Sequence, residues 1–159
     1  MKHIVGVADM VVGNNPNDTI ITYSLGSCIG LVIYDPQARV GGILHYMLPD
    51  STIDHDKAAS KPCMFADSGI PLLFKTAYTY GAVKNRIITY VAGGAEILDQ
   101  KGFFNIGKRN YLALKQIFFR NNVIIDKQDV GGNQNRTIRI DIATGYMFIK
   151  TAGSSEVKV

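Results

Sequence analysis

The chain has 159 residues, 47% of them hydrophobic and 19% charged, with a formal net charge of +4. That size and balance suit a single globular domain, residues 1–159, with a core of its own and only a mild preference for acidic partners. No apolar run reaches the roughly 18 residues a membrane helix needs, and the basic residues form no block or patch, which sets aside membrane insertion and nucleic-acid binding.

The N-terminal stretch MKHIVGVADMVVGNN has no signal-peptide core or cleavage site, so a cytoplasmic protein is expected. In that compartment Cys28 and Cys63 are expected as free thiols. His3, His45 and His55 are scattered, so no metal site is expected, and no cofactor motif appears.

Ile4–Val12 reads as a first strand, closed by the turn cluster Gly13 to Asp18. Thr19–Ser24 reads as a second. The small, flexible turn Ser24-Leu25-Gly26-Ser27 leads to Cys28 and then to Ile29–Tyr34, apolar on both faces and therefore expected as a central strand covered on both sides. Asp35-Pro36-Gln37-Ala38 reads as a type I turn, and Val40–Met47 as the returning strand. Leu48–Phe65 shows no periodicity and reads as a surface loop, with Cys63 as a packing thiol and His55 as a solvated side chain.

Asp67-Ser68 is placed to cap a helix running to about Tyr80, with Leu72, Leu73, Ala77 and Tyr80 as its apolar stripe and Gly81 as its stop. Asn85–Ala92 reads as a strand ending at Gly93-Gly94-Ala95. A second helix, Lys108–Arg120, turns Tyr111, Leu114, Ile117 and Phe118 inward. Val123–Asp126 reads as a strand and Val130-Gly131-Gly132-Asn133 as a loop. Thr137–Ile142 and Tyr146–Lys150 form a closing hairpin, and the tail from Gly153 is expected to be loose. The class is α+β: mixed or antiparallel sheets with helices packed outside.

The chemistry concentrates between Thr22 and Met47. If Asp35 pairs with Ala38 across the turn, Cys28 falls opposite His45, where directly opposed Cβ atoms stand roughly 4.5–5.5 Å apart. A thiol beside an imidazole is the minimum for nucleophilic catalysis, since the imidazole can take the thiol proton and later return it to a leaving group. Glycine at 26 lets the backbone approach a substrate, and free N–H groups of that turn can stabilise an oxyanion. Against this stands the ordinary fate of a lone cysteine in an apolar strand, which is burial in the core.

Several blocks together carry a resemblance to CheD, the bacterial and archaeal family of chemoreceptor glutamine deamidases. They are Leu25-Gly26-Ser27-Cys28, His45-Tyr46-Met47-Leu48-Pro49-Asp50-Ser51, Phe65-Ala66-Asp67, Gly93-Gly94-Ala95, Ile106-Gly107-Lys108-Arg109-Asn110, Val130-Gly131-Gly132-Asn133 and Thr144-Gly145. The resemblance spans nearly the whole chain. It implies a Cys-His-Thr triad in which Cys28 is the nucleophile, His45 the base and Thr22 the orienting third member, with amide groups around Ser27 and Cys28, next to Gly26, holding the oxyanion. It implies a β-sandwich flanked by helices, similar to the catalytic domain of cytotoxic necrotizing factor toxins. It also implies a chemoreceptor as protein substrate, possible hydrolysis of receptor glutamyl methyl esters, and binding to the chemotaxis phosphatase CheC, with no cofactor. A non-catalytic adaptor that binds CheC or the receptor is the competing reading, and a cysteine hydrolase acting on another protein is a third.

Overall fold

The computed structural model describes residues 1–96 and 105–159. Among these residues ten strands form two five-stranded sheets. The strands are β1 (Lys2–Ile4), β2 (Asp9–Gly13), β3 (Thr19–Leu25), β4 (Ile29–Asp35), β5 (Val40–Tyr46), β6 (Ile88–Gly93), β7 (Lys127–Val130), β8 (Arg136–Asp141), β9 (Met147–Thr151) and β10 (Val157–Lys158). The first sheet runs β1-β3-β8-β9-β10 and the second β2-β5-β4-β6-β7. The α-helices described with them are α1 (His55–Ser60), α2 (Ala66–Thr79) and α3 (Ile106–Arg120).

Two apolar clusters show how the layers stack. Val32, Tyr34 and Ile43 of the second sheet meet Ile20, Leu25, Ile138, Ile140 and Ile149 of the first. Alternate residues on the same strands, Ile29, Leu31, Ile33, Leu44 and Tyr46, meet Ile70, Leu73, Phe74, Leu114 and Phe118 of α2 and α3. The period-two alternation thus sends one set of side chains into the sandwich and the other to the helices. The molecule is an α+β sandwich with α2 and α3 on the outer face of one sheet. All seven residues of β4 are buried, as a strand apolar on both faces requires.

The structure corrects the sequence reading at several places. Ile4–Val12 is not one strand: β1 pairs with β3 in the first sheet and β2 with β5 in the second. The link between them turns at Ala8, which has a φ of 60°. The β4–β5 connection holds two more residues than the turn expected, because Asp35 pairs with Val40. Asp35 Oδ1 accepts from the N–H groups of Gln37 and Ala38, and Arg39 sits in the left-handed region at φ 54°. Leu48–Phe65 contains α1, capped by the Asp54 side chain on the Lys57 N–H. Helix α2 starts after Phe65, so Asp67 lies in its first turn and accepts instead from the N–H and hydroxyl of Ser51. Tyr80 is exposed rather than part of the buried stripe. Segment 123–126 is not a strand; the strand is β7, displaced toward Val130 and parallel to β6. The tail is not loose throughout, since β10 pairs with β9.

Candidate active site

His45 lies on β5 between Leu44 and Tyr46, whose side chains go to the helices, so its imidazole points into the sandwich. It is 1% exposed. Its Nδ1 stands 2.8 Å from the hydroxyl oxygen of Thr22, a fully buried residue of β3 in the opposite sheet. The Thr22 hydroxyl in turn donates to the carbonyl of Val5, also at 2.8 Å.

That second bond settles the first. A threonine hydroxyl has one proton, and Val5 takes it, so toward His45 the oxygen can only accept. Nδ1 therefore carries the imidazole proton, and Nε2 carries a lone pair. Nε2 is buried and makes no hydrogen bond among the described residues. Burial holds the His45 pKa down, from an ordinary 6.5 to about 4. The resting imidazole is neutral at physiological pH and is fixed in the tautomer a general base requires.

Cys28 does not sit directly opposite His45. The β4–β5 register places Gly30 there, two residues further along. The extra loop residues after Asp35 cause the offset, and an offset of two preserves the face. Cys28 is half-buried and packs against the same inner cluster that His45 faces. It lies one step past the last pair of the ladder, Ile29 with Tyr46, on the diagonal from His45. Diagonal neighbours of this kind remain within reach of long side chains. Glycine at 30 leaves no side chain opposite His45; Leu25 and Ile138 methyl carbons come within 2.8 Å of where a Cβ would stand. Burial pushes the Cys28 thiol up, opposed in part by its own backbone N–H. The resting pair is therefore thiol and imidazole rather than an ion pair.

The segment before Cys28 is pinned by its carbonyls. Gly26 accepts from the Ala95 N–H, Cys28 from the Gly94 N–H, and Ser27 from the Asn110 side-chain amide, each at 2.9 Å. The N–H groups of Ser27 and Cys28 have no backbone partner among the described residues. The sequence reading missed Val5, whose carbonyl fixes the tautomer, and the part played by Asn110. Val5 carries no signal, since any residue offers a carbonyl. Asn110 carried one: asparagine is a poor helix former, and here it stands in the interior of an apolar helix face.

Cys63 is buried beneath α2, and burial, with a lesser push from the Asp9 charge, raises its thiol to about 11. His55 is exposed at the start of α1.

A family model described as CheD chemotactic sensory transduction matches residues 47–151. The chain belongs to the CheD family. A relative from Syntrophus aciditrophicus (strain SB), named "Probable chemoreceptor glutamine deamidase CheD 1", is 54% identical over 150 residues, 94% of each chain. A relative from Solibacter usitatus, named "Probable chemoreceptor glutamine deamidase CheD", is 48% identical over 153 residues, 96% of this chain and 90% of that one. Both alignments run well beyond the segment matched by the CheD model. Among solved structures, the Neisseria meningitidis protein NMB0706 of family DUF152 is 10% identical, with a TM-score of 0.40 over 79% of this chain and 52% of that one.

Proposed function

We propose that this CheD-family chain deamidates glutamine side chains of chemoreceptors to glutamate, with Cys28 as nucleophile, His45 as base and Thr22 as the group that orients the base. One observation carries the reading most directly: His45 is locked with its proton on Nδ1 and a bare, buried Nε2, on the face it shares with a half-buried thiol. The names of the relatives, chemoreceptor glutamine deamidases over most of their length, supply the substrate class.

The steps follow from the proton inventory. Nε2 takes the Cys28 proton as Sγ bonds to the glutamine side-chain carbonyl carbon. A base of such low pKa draws the proton off only as the new bond forms, so the two events are coupled. The carbonyl oxygen becomes an oxyanion, for which the N–H groups of Ser27 and Cys28, without a backbone partner among the described residues, are the proposed donors. The imidazolium gives its proton to the amide nitrogen, the C–N bond breaks and ammonia leaves, giving a thioester on Cys28. A water then loses a proton to Nε2 and attacks the thioester. Sγ departs and recovers the proton, and glutamate is released. Each cycle consumes one water and produces one ammonia. The Thr22–Val5 relay keeps Nδ1 protonated throughout and stabilises the transient imidazolium.

On this reading a partner seated near Cys28, such as the phosphatase CheC, excludes a helical substrate, and saturating CheC should slow deamidation. The test of the chemistry is ammonia release from purified receptor, with hydroxylamine added to intercept the thioester. Ammonia release together with hydroxamate formation is the expected result. Stoichiometric receptor binding without ammonia would instead make the chain an adaptor.

A further inference from the structure

Asn110 of α3 is fully buried and donates both hydrogens of its side-chain amide to backbone carbonyls, Ser27 at 2.9 Å and Met47 at 2.8 Å. Both neighbours are acceptors, so Nδ2 rather than Oδ1 must face them, which fixes the amide orientation. Ser27 immediately precedes Cys28, and Met47 lies two residues after His45. The β4–β5 ladder ends at Ile29 with Tyr46. The next pair along would be Cys28 with Met47, and at that point the strands are joined through Asn110. The Asn110 backbone carbonyl also accepts from the Tyr46 hydroxyl at 2.6 Å. One residue of a helix thus grips the segment carrying the thiol and the strand carrying the imidazole.

Resting on the reading of Cys28 and His45 as nucleophile and base, we infer that Asn110 is a positioning residue for the reaction, holding the thiol-bearing segment against the imidazole-bearing strand where the ladder between them has run out. The two nearest replacements fail for different reasons. An aspartate of the same shape turns two acceptors toward two carbonyls, and serine cannot span them. A reacting pair displaced by about 1 Å loses on the order of 10²-fold in rate.

The test compares Asn110→Asp and Asn110→Ser with the parent chain, each checked for folding by circular dichroism. Deamidation of receptor is followed, together with iodoacetamide labelling of each cysteine. The expected result is a fall in kcat of roughly 10²-fold with KM within a few-fold. Labelling of Cys28 should slow by about tenfold or more, as in His45→Ala, because the imidazole no longer takes the thiol proton as the sulfur attacks, while that of Cys63 is unchanged. General loosening has the opposite signature, because it exposes both thiols and speeds both. A folded variant with parental kcat and parental Cys28 labelling would overturn the inference, as would a rate loss accompanied by faster labelling of both cysteines. Should one variant fail to fold, the other decides. Cys28→Ala, measured alongside, separates the two failures: retained deamidation there overturns the underlying reading, whereas a dead Cys28→Ala beside fully active Asn110 variants overturns only the role of Asn110.

Discussion

Among single residues, the decisive feature is one proton that Thr22 gives away. Because the Thr22 hydroxyl donates to Val5, it must accept from His45. Thr22→Ser keeps that relay and should keep activity within a few-fold. Thr22→Val keeps the shape, removes the acceptor and frees the imidazole to take either tautomer, so deamidation should fall by roughly 10²-fold or more. Kinetics of the two variants side by side check this. His45 also leaves a mark on stability. Its folded pKa, about 4, lies below the ordinary 6.5 of an unfolded chain. Between those values the unfolded state binds the extra proton, so stability falls as pH drops through that window and is fully present above it. The span corresponds to about 3 kcal/mol. Urea melts from pH 7 to pH 4 should show the loss, and His45→Gln should flatten it. The turn between Cys28 and His45 was legible, and with it their common face, but not the two-residue offset that puts Gly30 opposite His45. Nor was Val5, because a contact made by a backbone carbonyl leaves no trace in the side-chain pattern.

At the scale of the element, the β4–β5 turn sets where everything on the two strands falls. Its anchor is Asp35, fully buried, which accepts from the N–H groups of Gln37, Ala38 and Val83 and pairs with Arg86. Burial works to raise its pKa, but the Arg86 guanidinium and these N–H groups outweigh it and hold the carboxyl below its usual range. Asp35→Ala strips partners from all of them and should cost about 2–4 kcal/mol in a thermal or urea melt. The Asp-Pro signal located this turn correctly but not its length. The loop spends two further residues, one of them Arg39 in the left-handed region, on letting Asp35 reach Val83 and Arg86, and partners so distant in sequence cannot be read from a four-residue window. Gly93 makes a related point on β6. Its φ is 109°, and an added Cβ would run into the Cys28 carbonyl oxygen. Gly93→Ala should therefore lower stability by roughly 2–4 kcal/mol and disturb the Cys28 segment as well. Activity lost beyond the unfolded fraction would show it.

Over the whole molecule, the strand and helix signals were enough to indicate an α+β class with helices outside the sheets, the sandwich itself being implied only by the resemblance to CheD, and the two apolar faces of Ile29–Tyr34 marked the central strand. The partition of strands between sheets was hidden. Nothing in Ile4–Val12 announces that β1 and β2 belong to different sheets, because an apolar run looks the same whether it stays in one sheet or crosses. That crossing matters, since it carries Val5 to Thr22 and brings Ala8 to the His45 carbonyl, joining the two sheets around the imidazole. The proposed site therefore draws on the whole sandwich: Thr22 from one sheet, His45 from the other, Cys28 from the segment just before β4, and Asn110 from the helical layer. In the proposed reaction Cys28 attacks receptor glutamine with the help of His45. Its most direct test is mass spectrometry of receptor peptides after incubation with the parent chain, Cys28→Ala or Cys63→Ala, each confirmed as folded by circular dichroism. The account predicts the amide-to-acid mass change at specific glutamines with the parent chain and, within a few-fold in rate, with Cys63→Ala, and none above background with Cys28→Ala. A folded Cys28→Ala protein that still converts those glutamines would contradict it.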